Sequence, residues 1–309
     1  MAVVSIRPPL TRTDVLRRPV RLLAVVLDYW ALTKPEITFL VAITTAAGFW
    51  MGTAAARTEF PWLALFHALL GTALVAAGAA ALNQLIEWPY DARMRRTARR
   101  PIASGRITPA AALWFGLALS IGGAVYLTIL ANPLAADLAA FTAVGYLCVY
   151  TPLKRFTPLC TLVGVIPGAA PPLIGWAAAR GHLEPAAWVL FAIVFTWQFP
   201  HFTPIAWMYR DDYARAGYRV LPRGERRNRF VMWQTVAAAA VLLVVSVIPT
   251  LIGLSGYAYF VGALALGGTL VHYSVKFARH RTNAAARQLL FASIAYLPAL
   301  FALLVMDKS

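Results

Sequence analysis

Residues 83–106 read NQLIEWPYDARMRRTARRPIASGR and follow an Ala-rich apolar run. Asn83, Glu87 and Asp91 fall at steps of four, and on a helix such steps stack side chains on one face with about 40° of drift per step. The apolar run reads as a membrane helix, so three oxygen-bearing side chains collect near one membrane surface. Acids and amides at membrane depth are costly and mark pathways or sites. Pro89, between the two acids, removes a helical donor and leaves the Leu85 carbonyl as a further candidate metal ligand. Arg93, Arg95, Arg96, Arg99, Arg100 and Arg106 follow at once. The carboxylates suit a hard divalent cation such as Mg²⁺ and the basic loop suits phosphate, so together they point to a metal-bridged diphosphate.

The rest of the 309-residue chain fits a membrane setting: 60% of it is hydrophobic and 13% charged. Nine apolar runs at 37–56, 62–85, 110–130, 134–151, 159–178, 186–207, 230–252, 256–275 and 288–306 have the length a helix needs to cross a bilayer core of about 30 Å. The expected fold class is an all-α integral membrane protein of nine transmembrane helices. The net charge of +16 does not call for nucleic acid. With a cytoplasmic amino terminus, every Lys and Arg except Arg57, Arg180 and Lys308 lies inside, which is the positive-inside pattern. Residues 1–36 then form a cytoplasmic segment, residues 37–306 the membrane domain and residues 307–309 a short periplasmic tail. Residues 1–33 hold Arg7, Arg12, Arg17, Arg18 and Arg21 without a cleavage site after a short apolar region, so they read as a bacterial cytoplasmic tail. A mitochondrial presequence is the less simple alternative. Cys148 and Cys160 lie in or beside apolar runs with no metal or disulfide spacing, and read as packing residues.

The outside connections are short, while the long inside ones, 86–109 and 208–229, carry the polar residues. Function therefore faces the cytoplasm. The sixth span ends in WQFPHFTPIAWMYRDDY and a basic loop, echoing the second span four spans earlier, so two four-helix pseudo-repeats plus one helix face a shared cavity. Here Gln198, His201, Asp211 and Asp212 meet the cytoplasm, with Pro200 and Pro204 interrupting the helix. His201 is a candidate base, hydrogen-bond donor or haem contact. YTPLKR, residues 150–155, would bring Lys154 and Arg155 to the first acidic cluster, where they suit phosphate oxygens. The Gly- and Pro-rich run that follows, residues 161–176, permits close helix approach and an irregular backbone along a cavity. Residues 28–36, DYWALTKPE, with Tyr29 and Trp30, read as an interfacial anchor or as a lid over a cytoplasmic site. His67, His182, His272 and His280 lack polar company and read as structural or interfacial.

On NQLIEWPYDARMRRTARRPIASGR, YTPLKRFTP with GAAPPLIGW, and WQFPHFTPIAWMYRDDYARAGYRVLP, the chain resembles the UbiA superfamily of membrane prenyltransferases over nearly its whole length after about residue 30. The first acidic motif is matched by Asn83, Glu87 and Asp91. The second usually opens with an acid, but His201 stands there instead, with Asp211 and Asp212 following. That departure is shared with the haem-modifying branch. The resemblance implies a UbiA-like bundle in the bacterial inner membrane and farnesyl diphosphate and haem B as substrates. Mg²⁺ would be held by Asn83, Glu87 and Asp91 with Asp212 and, as an alternative, Asp211. Arg96, Arg100, Lys154 and Arg155 would neutralise the leaving diphosphate, Gln198 would contact substrate, and His201 would be catalytic, touching the haem at its iron, its propionates or the reacting vinyl. Membrane lipid would surround the bundle, and a downstream haem A synthase is a candidate docking partner on the basic loops. Two rival readings are a prenyltransferase acting on a quinone-precursor ring, which predicts an Asp where His201 stands, and a secondary transporter, which predicts polar groups near the bilayer midplane.

Overall fold

A computed structural model of the chain describes residues 22–53, 59–222 and 224–309, without the side chains of Glu225 and Arg227. The arginines at 7, 12, 17, 18, 21 and 57, and with them most of the expected amino-terminal segment, lie outside the described residues. Among the described residues the regular structure is helical, apart from an isolated bridge between Ser255 and Lys308. In chain order the helices are α1 (Leu22–Leu32), α2 (Pro35–Gly52), α3 (Trp62–Asp91), α4 (Pro109–Leu130) and α5 (Pro133–Val144), the last continued by a π-helical stretch, Gly145–Tyr150, and a turn, Thr151–Leu153. They continue with α6 (Cys160–Ala169), α7 (Pro171–Arg180), α8 (Pro185–Met208), α9 (Arg210–Ala216), α10 (Glu225–Leu251), α11 (Tyr257–His280) and α12 (Asn283–Met306).

Eight of these segments, counting α6 and α7 as one broken span, are long and apolar enough to cross a bilayer. The 18-residue α2, with Glu36 in its first turn, packs among them as the ninth. Proline opens α2, α4, α5, α7 and α8, where its missing N–H costs nothing. The Thr108, Asn132 and Thr282 side chains cap α4, α5 and α12 by accepting from the amides of Ala111, Ala135 and Ala285. Observed boundaries exceed the apolar runs at several ends: α3 continues through Pro89 to Asp91, α11 reaches His280 and α12 starts at Asn283. Apolarity delimits the membrane crossing, whereas a helix continues into water as long as its backbone bonds can be made.

The halves repeat one pattern of neighbours. In the first, α2 packs on α3, α3 on α4 and α4 on α5; in the second, α7 packs on α8, α8 on α10 and α10 on α11. The opening helices of the two halves, α2 and α7, lie against each other, and α12 closes the ring against α8, α11 and α2. Glycine makes the α2–α7 contact possible. A Cβ on Gly175 would collide with the Thr45 carbonyl oxygen, and one on Gly48 with the Pro172 carbonyl. Outward faces carry large apolar side chains such as Trp114, Phe141 and Phe291, as lipid contact requires. Cys160 is buried, whereas Cys148 points outward, so only the former packs inside the bundle.

One buried polar pair tests this arrangement. Ser246 Oγ on α10 and Tyr296 OH on α12 are 2.7 Å apart, and both residues are fully buried. Ser246→Ala strands the phenol and is expected to cost about 1 kcal/mol, read as a lower unfolding midpoint in detergent. An unchanged midpoint would mean that the pair contributes nothing.

Candidate active site

The four-residue spacing on α3 places Asn83, Glu87 and Asp91 on its inner face, all buried, along one wall of a cavity of about 520 Å³. Each has a basic partner. Lys34 Nζ donates to Asn83 Oδ1 at 2.7 Å, Lys154 Nζ pairs with Glu87 Oε1 at 2.7 Å, and Arg100 donates to Asp91 Oδ2 at 2.7 Å. The other Asp91 oxygen, Oδ1, is buried without a hydrogen-bond partner. A carboxylate oxygen sealed in this way is unfavourable unless a cation or donor completes it.

Three elements bring those cations in. Lys34 sits between α1 and α2 in the left-handed region, φ 47°, a conformation uncommon for a residue with a Cβ and often found where a site needs it. Burial, and then the nearby Arg100, lower its pKa to about 7. On α5, the π-helical stretch lets Thr151 Oγ1 donate to the Tyr146 carbonyl at 2.8 Å and accept from Asn83 Nδ2 at 3.1 Å. Lys154 follows, 4.4 Å from the centre of the Tyr150 ring. Although burial alone would pull its pKa down, Tyr150 and Glu87 hold it above the usual lysine value. The loop after α3 folds back on its own helix: Thr97 Oγ1 donates to the Asp91 carbonyl, and Arg100 reaches the Asp91 carboxylate.

This loop also meets the second half of the chain. Met94 packs with Ala216 and Tyr218, the Arg96 amide donates to Asp212 Oδ2 at 3.3 Å, and the Arg96 guanidinium lies 4.7 Å from the Tyr209 ring centre. The Arg219 amide donates to the Lys154 carbonyl. The two basic loops and the end of α5 therefore form one cap over the polar mouth of the cavity. Tyr218 lines it with its hydroxyl buried and unpartnered. Burial raises the pKa of that phenol, so it stays protonated as a donor. Deeper down the lining turns apolar, with Ile37, Leu40 and Val41 from α2 and Val75, Ala76 and Ala79 from α3.

Opposite the acids, the α8 helix contributes His201. Its ring stacks on Trp197, 4.6 Å between centres and 19° between planes, and its Nδ1 lies 2.9 Å from Ser293 Oγ. Gln198 also lines the cavity, but its amide nitrogen donates to the Val165 carbonyl, tying α8 to α6.

Of the residues singled out from the sequence, Asn83, Glu87, Asp91, Arg96, Arg100, Lys154, Gln198 and His201 share the one cavity, whereas Arg155, Asp211 and Asp212 do not line it. Arg155 donates to Tyr90 OH at 2.6 Å. Asp212 pairs with Arg215 as well as the Arg96 amide, and Asp211 is exposed. Lys34, Tyr146, Tyr150, Tyr213 and Tyr218 line the cavity without having been singled out for it. Lys34 and Tyr150 fall within stretches read from the sequence, 28–36 and 150–155, but nothing in those stretches marks either side chain as facing the cavity.

Among the described residues no three acidic, His or Cys side chains converge closely enough to hold a metal alone. The donor set nevertheless fits Mg²⁺. It consists of hard oxygens, one of them orphaned, and Mg²⁺ usually takes one or two carboxylates and completes its shell with water and substrate phosphate. The site as a whole suits an anion with a long apolar tail, its charge among lysines and arginines and its tail between α2 and α3.

Comparison with known proteins places these features. Residues 39–297 match the UbiA prenyltransferase family. The chain is 47% identical over 287 residues to the protoheme IX farnesyltransferase of Solibacter usitatus, covering 91% of this chain and 98% of that protein. It is 46% identical over 289 residues to the protein of the same name from Koribacter versatilis, covering 91% and 93%. Among solved structures, a digeranylgeranylglyceryl phosphate synthase superimposes with a TM-score of 0.75 at 14% identity, covering 91% of this chain and 98% of that one. A UbiA homologue from Archaeoglobus fulgidus, bound to GPP and Mg²⁺, does so with a TM-score of 0.61 at 15% identity, covering 90% and 99%. At those identities the likeness establishes the fold.

Proposed function

The chain belongs to the UbiA prenyltransferase family, and from that premise we propose that it transfers the farnesyl group of farnesyl diphosphate to a vinyl group of protohaem IX. Water adds in the same conversion, giving haem O and diphosphate. The observation that carries this reading is the near-full-length identity to protoheme IX farnesyltransferases, joined to a cavity that has a cationic mouth and an apolar depth.

Lys34, Lys154, Arg96 and Arg100 receive the diphosphate at the mouth, and the α2 and α3 side chains below them take the farnesyl tail. Asn83, Glu87 and Asp91 are the residues that would hold Mg²⁺, with Asp212 close to the same loop. When bound, the ion would supply charge neutralisation to the departing diphosphate. The allylic carbon–oxygen bond breaks with its electron pair leaving on the diphosphate, whose charge the lysines and arginines offset. The vinyl π pair forms the new carbon–carbon bond, and the cation left beside the porphyrin takes water and releases a proton. The apolar wall excludes other water from the allylic cation. Arg155 supports the mouth through Tyr90 rather than touching its interior. The positive-inside rule orients the site toward the cytoplasm, with the carboxyl terminus in the periplasm.

The test is an incubation of purified protein with haem B, farnesyl diphosphate and Mg²⁺, read by mass spectrometry. A hydroxyethylfarnesyl haem is the expected product, lost on chelation of the metal. Prenylation of 4-hydroxybenzoate with haem untouched would overturn the acceptor while sparing the family chemistry. No product from either acceptor would reopen the transporter reading.

A further inference from the structure

His201 and Ser293 form a hydrogen-bond relay whose direction can be worked out. The Ser293 hydroxyl has a single proton, and it is donated to the Leu290 carbonyl at 2.7 Å. The Leu290 carbonyl can only accept, so both this contact and the one to His201 Nδ1, 2.9 Å away, are hydrogen bonds at once only when Ser293 Oγ accepts from an Nδ1–H on the imidazole. The neutral ring then carries a bare lone pair on Nε2, and that nitrogen has no hydrogen-bond partner among the described residues. Trp197 fixes the plane of the ring by stacking on it, and its indole N–H donates to the Ser293 carbonyl at 2.7 Å. One residue of α12 thus anchors both members of the stack. His201 lines the cavity, and its ring neighbours, Trp197 and Phe202, carry no charge.

A neutral imidazole that donates one N–H to a fixed acceptor and presents the other nitrogen to a cavity is how a protein prepares a histidine to bind a metal. Among the described residues no acidic side chain is hydrogen-bonded or ion-paired to it. The metal that the function proposed above brings into the cavity is the iron of haem. We propose that Ser293 is a positioning residue: it holds His201 with its proton on Nδ1 so that Nε2 ligates the iron of the haem acceptor. This rests on haem being the acceptor. The bond is a simple donation of the Nε2 pair to iron and leaves the oxidation state unchanged.

The experiment titrates haem B, and separately metal-free protoporphyrin IX, into the detergent-purified wild type and the variants His201→Ala, Ser293→Ala and Ser293→Thr, read by optical absorption and electron paramagnetic resonance. Wild type and Ser293→Thr, which keeps the hydroxyl, are expected to give an imidazole-ligated haem spectrum, and His201→Ala to lose it. Ser293→Ala should weaken haem binding by about 10- to 100-fold yet bind protoporphyrin IX like the wild type, with an unchanged KM for farnesyl diphosphate. If His201→Ala keeps the wild-type haem spectrum, iron ligation is wrong. If Ser293→Ala binds haem as the wild type does, or loses both porphyrins equally, Ser293 does not position the ligand. A wild type that shows the imidazole signature but leaves haem unreacted would sink the acceptor reading and leave the ligation standing. A wild type that binds no haem would sink both.

Discussion

Replacing Asp91 with asparagine is expected to lower farnesyl-transfer turnover by roughly 10²- to 10³-fold, the usual cost of losing one preorganised charge-stabilising group. The shape is kept and the charge is lost. The substituted amide would still offer one carbonyl oxygen to Arg100, but it would place either that oxygen or an NH₂ group where the unpartnered Oδ1 now lies. The variant should stay folded, because Asp91 sits at the end of α3 and the backbone carbonyl at this position keeps the bond from Thr97. Two readouts separate chemistry from damage. Turnover at saturating farnesyl diphosphate should fall while the unfolding midpoint holds, and the Mg²⁺ concentration for half-maximal rate should rise. Wild-type turnover in the variant would remove Asp91 from the machinery. Loss of folded protein would instead mean that the pair of half-buried Arg100 with buried Asp91 is structural.

The second large effect is on stability. Gly175→Ala is expected to cost more than the roughly 1–3 kcal/mol typical of overpacking. The new Cβ would meet backbone, namely the Thr45 carbonyl group and the Phe49 nitrogen at 2.7 Å, and backbone cannot rotate aside as a side chain can. The α2–α7 contact would open, and with it the junction between the halves. Gly122→Ala on α4 is the control, with nothing within 4 Å of its added Cβ. The expected result is a large drop in the unfolding midpoint and in monodisperse yield for the first variant and none for the second. Equal behaviour of the two would show that the close approach is not needed.

The nine-helix architecture was legible because apolar length is local, and the repeat because polar helix ends recur four spans apart. The convergence of Asn83, Glu87 and Asp91 also follows from local geometry, a period of four on one helix. Lys34 was not legible in the same way. Its reach to Asn83 depends on a left-handed turn and on the fit of α2 against α3, and neither leaves a spacing signature. Tyr218 joins the cavity only because the loop after α8 docks on the loop after α3, a contact between residues more than a hundred positions apart. Two adjacent acids cannot both face one way on a helix. Only packing reveals that Asp212 turns to the Arg96 amide while Asp211 stays in solvent.

The π-helical stretch Gly145–Tyr150 can be described as a matter of phase. A π turn is an α-helix that has accommodated one surplus residue, so every side chain beyond it arrives one position late, about 100° round the axis from where an uninterrupted helix would aim it. Lys154 follows this offset and meets Glu87; in an uninterrupted α-helix that heading would belong to Leu153. For a given sequence, the wider winding of these few residues decides which side chain faces the cavity. A lineage that lost the surplus residue together with the bulge would keep its lysine on the same heading, so comparison of relatives position by position must count the offset before equating their lysines.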